Sequence, residues 1–310
     1  MSETNRMLTR YAGPSAARGA FAAFQKLREQ MREQADAVVD RLLGDDALSR
    51  MDRLELHKGP SGVDPFGFDP KVAKWAVVVA RAISEKYFRT EVFGIERVPQ
   101  GRVMLISNHS GQLPLDGMAI ATALLLHGDP PRFVRSMVEK WTATLPFISE
   151  LFQRCGQIVG VPENCIRLLE MDEAVLVFPE GARGISKTFD QRYKLTDFGL
   201  GFMRMALETG TPIVPVAVVG AEEQYVSVAN LKPLAKLLGM PAVPLMPQLL
   251  IPGGFLPLPT RYRIYFGEPL SFNGDPDDED AAIEEKVWVV RSTIQSMLNR
   301  GIKERKSIFF

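Results

Sequence analysis

A histidine just past an apolar run, with a carboxylate a few residues further on, is a pattern that can move protons. Val103-Met104-Leu105-Ile106 reads as a buried strand. The chain leaves it through Ser107-Asn108-His109-Ser110-Gly111-Gln112-Leu113-Pro114-Leu115-Asp116-Gly117. A neutral imidazole at His109 can take a proton from a hydroxyl, and a carboxylate on its other nitrogen fixes the tautomer and stabilises the imidazolium. Asp116 is the carboxylate in reach, because Gly111 and Pro114 predict a turn that carries it back to the ring. A lone histidine beside a strand also fits a purely structural role. The second stretch is Val175-Leu176-Val177-Phe178-Pro179-Glu180-Gly181-Ala182-Arg183-Gly184, another predicted strand that ends in a turn. It delivers one carboxylate and one guanidinium. The planar fork of Arg183 suits bidentate, charge-assisted binding of a phosphate. A salt bridge that closes the loop is the plainer alternative.

Together the two stretches resemble the glycerolipid acyltransferase superfamily, the enzymes related to glycerol-3-phosphate and 1-acylglycerol-3-phosphate acyltransferases. Asn108-His109 followed by Asp116 is similar to that family's first motif, and Phe178-Pro179-Glu180-Gly181-Ala182-Arg183 to its third. The resemblance covers roughly residues 90–270. It implies a fatty acyl group moved from acyl-CoA or acyl carrier protein to the hydroxyl of a glycerolipid acceptor. His109 would activate the hydroxyl for direct attack on the thioester, with Asp116 orienting the ring. Glu180, Gly181 and Arg183 would bind the acceptor, and the reaction implies neither a cofactor nor a metal. Three departures stand out. Six residues separate His109 from Asp116, more than is usual in the family. Ala182 replaces the common Thr or Ser. The second motif maps to Gly160-Val161-Pro162-Glu163-Asn164, without the expected Arg, which leaves an acceptor without a phosphate open. The apolar strand Ile213-Val214-Pro215-Val216 matches the fourth motif, with Glu222 and Glu223 after it in what reads as a solvated turn.

The elements that would position these residues alternate between strands and helices. Strands are expected at 91–95, 102–106, 131–134, 157–160, 174–178, 213–220 and 261–266. Helices are expected at about 70–88, 118–127, 141–152, 162–170, 197–209 and 280–300. This alternation predicts an α/β fold, a mostly parallel sheet flanked by helices, with active-site residues at the carboxyl ends of strands. Pro215 predicts an edge or a bulge for its strand. The expected organisation is an N-terminal amphipathic helical extension over 1–56, a linker over 57–70 rich in turn residues, and the acyltransferase domain over 71–310. Phe21, Phe24, Leu27, Met31, Ala35, Val38 and Leu42 recur at helical spacing, the mark of an amphipathic helix after a disordered lead over 1–17. That helix packs on the domain, on a partner chain or on a membrane surface.

With 310 residues the chain can bury a large core. Lys plus Arg and Asp plus Glu both number 37, so the zero net charge argues against nucleic acid as a general partner. Cys155 and Cys165 are the only cysteines, and no further ligands stand at metal spacing, so two reduced thiols in a cytosolic protein are expected. The N-terminus leads into no apolar signal region, and no run of apolar residues is long enough to span a bilayer. A lipid enzyme of this kind would lie on the membrane, at its cytoplasmic face. Residues 234–259 are rich in Leu and interrupted by Pro241, Pro244, Pro247, Pro252, Pro257 and Pro259, which forbid a long helix. Such an insert either covers the core or forms a lid that meets lipid or the acyl chain. Two other functions fit the same residues: a lipid or thioester hydrolase in which His109 activates water, and a non-catalytic membrane-lipid-binding protein.

Overall fold

Strict alternation of faces along short apolar strands dictates a sheet buried on both sides. The computed structural model describes residues 14–54, 64–238 and 242–310. A seven-stranded sheet has the order β1-β9-β6-β2-β5-β3-β4. Its strands are β1 (Glu91–Phe93), β2 (Val103–Ser107), β3 (Val134–Val138), β4 (Ile158–Val159), β5 (Ala174–Val177), β6 (Ile213–Val219) and β9 (Arg263–Phe266). Neighbours pair in parallel except β6 and β9. A two-stranded antiparallel ribbon joins β7 (Ala229–Asn230) to β8 (Pro244–Leu245).

The helices are α1 (Pro14–Asp52), α2 (Pro70–Arg81), α3 (Leu115–His127), α4 (Ile148–Arg154), α5 (Pro162–Glu170), α6 (Ala182–Ile185), α7 (Gly201–Thr209), α8 (Lys232–Leu238) and α9 (Asp280–Glu304). Met104, Ile106, Val175, Ile213, Ala217 and Val219 face one side of the sheet, in a core with Ile283, Val287, Val290 and Ile294 of α9. Val103, Leu105, Ala174, Leu176, Val214 and Val216 face the other, with Ala119, Ile120, Ala123 and Leu124 of α3.

The chain divides into two compact units, Met1–Ser49 and Arg50–Phe310. In the first, Phe24, Leu27, Met31, Val38 and Leu42 of α1 are exposed, and α1 kinks at Gly44, whose φ of 74° breaks the helical path. The expected lead falls largely on residues 1–13, and most of the expected linker on 55–63, all outside the described residues. Residues 64–70 pack into the second unit. Asp64 pairs with the buried Arg135, Phe68 is buried, and Asp69 caps α2 by accepting from the N–H groups of Lys71 and Val72. On α2, Ala73 and Val77 are covered whereas Trp75 and Val79 are exposed.

The structure corrects several expected elements. The strand placed at 131–134 runs over 134–138 instead, because Pro130 and Pro131 cannot donate to a ladder while Arg135 and Ser136 can. The helix expected over 141–152 is a 3₁₀ turn (Lys140–Thr144) followed by α4, broken where Pro146 precedes Phe147 at φ 63°. The helix expected from Asp197 starts at Gly201. Of the edge or bulge predicted from Pro215, the edge is wrong, since β6 is buried between β2 and β9, whereas the pairing does slip by one residue there, from Val216 with Phe266 to Ile213 with Leu270. Pro215 is tolerated there because β9 ends at Phe266, opposite Val216. The missing N–H falls at this slip, where Gly267 donates to the Pro215 carbonyl at 2.8 Å.

Candidate active site

The parallel strands β2, β3, β5 and β6 end at one edge of the sheet, and the chain turns there at His109, Glu139, Glu180 and Glu222. This is where the rule for open α/β sheets places a site. Asn108 anchors the first turn. Its side-chain amide accepts from the Val218 N–H at 2.8 Å and donates to the Val218 carbonyl at 3.2 Å, tying the exit of β2 to β6.

His109 Nδ1 lies 2.9 Å from Asp116 Oδ2. The same oxygen accepts from the Ser110 N–H at 2.9 Å, and Oδ1 accepts from the Gly117 N–H at 2.8 Å. Asp116 is fully buried in the first turn of α3, where the helix dipole suits a carboxylate. The His109 side chain is 13% exposed and its ring stacks on Phe178, with centroids 4.1 Å apart. Nε2 has no hydrogen-bond partner among the described residues. One nitrogen is thus held by a carboxylate and the other is left to meet a substrate proton.

The long spacing between His109 and Asp116 is closed by a residue that the sequence reading did not single out. Buried Gln224 donates through Nε2 to the carbonyls of Gly111 (2.7 Å) and Leu113 (3.3 Å), while the Tyr262 hydroxyl donates to its Oε1. Gly111 must be glycine here, with φ at +88° and a Cβ that would fall 2.5 Å from the Ala221 carbonyl oxygen. Gly184, also missed, lets α6 press against the histidine. A Cβ there would lie 2.8 Å from the His109 carbonyl oxygen.

Glu180 is 1% exposed and faces the protein interior. Oε1 accepts from the His109 N–H at 3.1 Å, and Oε2 accepts from the Thr196 N–H at 2.8 Å and hydroxyl at 3.0 Å. Lys187 Nζ stands 3.5 Å from Oε2. Glu180 therefore joins the turns after β2 and β5 and fixes the backbone of His109. Gly181 adopts φ 55° and ψ −147°, which opens the turn into α6. Arg183 is exposed and donates from Nη2 to the Asp197 carbonyl at 3.0 Å. The structure thus gathers His109, Asp116 and Glu180 into one hydrogen-bonded group, with Gly181 and Arg183 on the turn that follows. Past β4, in place of the missing second-motif Arg, Asn164 caps back onto the Val159 carbonyl at 3.1 Å.

Glu222 and Glu223, expected in a solvated turn, are instead 6% and 3% exposed. Glu223 forms a bidentate pair with Arg305, one arm at 2.6 Å. Glu222 accepts from Lys187 Nζ at 3.0 Å and from the Tyr193 N–H at 2.7 Å. Burial pushes its carboxyl up to about 7, against the pull of Lys187 in the other direction. Between the ordinary value of 4.5 and about 7 the folded chain holds a proton that the unfolded chain has lost. Stability therefore falls as pH rises through that window, by up to a few kcal/mol. Glu222→Gln mimics the protonated form. In thermal melts its stability relative to the native chain is expected to rise from about pH 5 to about pH 8, and a constant difference would contradict this.

Comparison with known proteins places the chain. A protein-family profile described as Acyltransferase matches residues 89–219, a span that holds both His109–Asp116 and Glu180–Arg183. An uncharacterized protein of Mycobacterium tuberculosis is 37% identical over 263 residues, 81% of this chain and 73% of that protein. This chain belongs to the acyltransferase family. An uncharacterized Mycobacterium leprae protein is 38% identical over the same share of this chain and 71% of its own length. A human "DGAT1/2-independent enzyme synthesizing storage lipids" is 23% identical over 211 residues, 68% of this chain and 61% of that protein. The solved 1-acyl-sn-glycerophosphate acyltransferase PlsC from Thermotoga maritima aligns over 76% of this chain and 83% of its own, at 17% identity and a TM-score of 0.49. The mostly parallel α/β sheet agrees with the fold expected from the sequence.

Proposed function

We propose that this acyltransferase moves a fatty acyl group from acyl-CoA or acyl carrier protein to the hydroxyl of a glycerolipid acceptor at the cytoplasmic face of a membrane. His109 Nε2 takes the hydroxyl proton as the oxygen attacks the thioester carbonyl. The C–O bond forms, the C–S bond breaks, and the imidazolium returns the proton to the leaving thiolate. Asp116 holds the tautomer and stabilises the imidazolium. Glu180 positions the His109 backbone, while Gly181 and Arg183 border the acceptor side. The observation that supports this reading most strongly is the 2.9 Å contact between His109 Nδ1 and the buried Asp116 carboxylate. A protein that only binds lipid has no need of a buried carboxylate that orients an imidazole.

The test is a transfer assay on the purified full chain with labelled long-chain acyl-CoA and acyl carrier protein donors. Its acceptor panel is glycerol 3-phosphate, lysophosphatidate, other lysophospholipids, and mono- and diacylglycerol. Label entering one acceptor supports the reading. Label in none, with the thioester intact, overturns it.

Among the described residues no helix is long and apolar enough to cross a membrane. Contact with lipid is assigned to the exposed apolar surface of α1 and to the proline-broken segment 234–259. There Leu237, Leu250, Ile251 and Phe255 are 62–88% exposed, although residues 239–241 lie outside the described residues. Apolar patches of this kind mark surfaces that meet a partner or a membrane. Replacing Leu250, Ile251 and Phe255 by Glu is expected to weaken sedimentation with liposomes about tenfold or more. Unchanged sedimentation in a folded variant would contradict the assignment.

A further inference from the structure

The turn between His109 and Asp116 and the exposed apolar segment hold the same short stretch of chain from opposite ends. Gln224, Tyr225 and Val226 follow one another beyond β6. Towards the site, the Gln224 side chain donates to the carbonyls of Gly111 and Leu113. Towards the segment, all three residues are bonded. The Leu258 N–H donates to the Gln224 carbonyl at 2.8 Å, the Tyr225 hydroxyl donates to the Phe255 carbonyl at 2.9 Å, and the Val226 N–H donates to Gln248 Oε1 at 2.9 Å. Gln248 also closes the segment on itself, because Nε2 donates to the carbonyls of Gly254 (3.3 Å) and Leu256 (3.4 Å).

Burial differs sharply along this path. Gln224 and Tyr225 are buried, whereas Phe255, whose carbonyl Tyr225 holds, is exposed. Buried groups are close-packed and pass a displacement on to their neighbours. The turn that receives it needs support. Gly111 and Gln112 both lie in the left-handed region, at φ 88° and 64°, and Gln112 is not a glycine, so the surroundings must hold its backbone there. Gln224 braces this turn from its buried side. The Gly111 and Leu113 carbonyls also accept from the N–H groups of Leu113 and Leu115, at 2.6 and 2.8 Å. Loss of the Gln224 amide would therefore loosen the turn without stripping either carbonyl of its partners.

We infer that Gln224 is a positioning residue for the His109–Asp116 pair, and that the apolar segment over 242–258 acts on that pair through it. The inference rests on the acyl-transfer reading and gives the segment a part in the rate as well as in contact with lipid. A shift of the Gln224 main chain, which the segment holds, moves the side chain and with it the turn. Misplacing a reacting group by a fraction of its size costs large factors in rate.

The test is a double-mutant cycle in the full chain, with kcat and KM measured using labelled long-chain acyl-CoA and the acceptor panel above, and thermal melts alongside. Gln224→Met removes the amide at nearly constant shape. Gln248→Ala releases Val226 and leaves Leu250, Ile251 and Phe255 in place. Each is expected to lower kcat about tenfold or more with KM near native. The double variant is expected to be no slower than Gln224→Met alone, because Gln224 is the path between segment and turn. Effects that multiply in the double variant overturn the inference. So does a native kcat in either folded single variant, as a purely structural role would give, or a loss confined to KM. If Gln224→Met fails to fold, Tyr262→Phe takes its place, since it keeps the ring stacked on Phe88 at 4.1 Å and removes the hydroxyl that donates to Gln224 Oε1. Tyr225→Phe, which frees the Phe255 carbonyl, stands in for Gln248→Ala in the same way. A native chain that transfers to no acceptor of the panel overturns the acyl-transfer reading, and the inference with it.

Discussion

His109→Ala is expected to reduce acyl transfer by about 10²–10⁴-fold, the ordinary contribution of a positioned general base. The loss should fall on kcat, because the ring acts on the reacting proton while the acceptor head is held by other groups. The fold should survive. Asp116 keeps the N–H groups of Ser110 and Gly117 as partners, and Asn108 and Glu180 still hold the turn through backbone bonds. Thermal melts and steady-state kinetics on one preparation check both halves. A folded variant with undiminished transfer would remove His109 from the chemistry. A native chain inactive with every donor and acceptor would favour the non-catalytic lipid-binding alternative.

Asp116→Asn is expected to cost about as much, again roughly 10²–10⁴-fold, by a different route. Both carboxylate oxygens accept from N–H groups: Oδ2 from Ser110 and facing His109 Nδ1, Oδ1 from Gly117. An amide has only one oxygen, so one of these sites must receive an NH₂ group that cannot accept. If it faces His109, the ring must accept at Nδ1 and carry its proton on Nε2, where it can no longer take one from the acceptor, and the buried Ser110 N–H loses its partner. If it faces Gly117, a buried N–H loses its partner, at about 1–3 kcal/mol. Kinetics separate the outcomes, since both lower the melting temperature and the first also removes the base and lowers kcat. A variant native in both would show that the carboxylate neither orients the ring nor holds the turn.

Much of this architecture was legible because it depends on period and punctuation. β2 and β5 are short, apolar but for the terminal Ser107 of β2, and bounded by turn residues, so their ends, and the motif residues placed there, could be located from the chain alone. β3 was placed too early because Arg135 breaks the apolar pattern, and its charge is tolerated only through pairing with the distant Asp64 and Glu173. Pro215 misled as to an edge because a proline's cost depends on where the neighbouring strand ends, and β9 lies some fifty residues further along. Glu222 and Glu223 looked solvated because their partners, Lys187 and Arg305, are remote in sequence. Gln224 carries no motif at all, although its two carbonyl acceptors explain how a longer turn still returns Asp116 to His109. The spacing alone raised the problem, and only tertiary hydrogen bonding shows how the turn closes.

On the proposed function, His109 directs the acyl group to an acceptor hydroxyl rather than to water. This is tested most directly by following labelled acyl-CoA with and without acceptor, and measuring label in acylated acceptor and in free fatty acid, for the native chain and His109→Ala. Expected are acceptor-dependent consumption of the thioester, label in the acylated acceptor, and loss of both in the variant. Free fatty acid released by the native chain at the same rate without acceptor, and lost in His109→Ala, would contradict it and make the protein a thioester hydrolase.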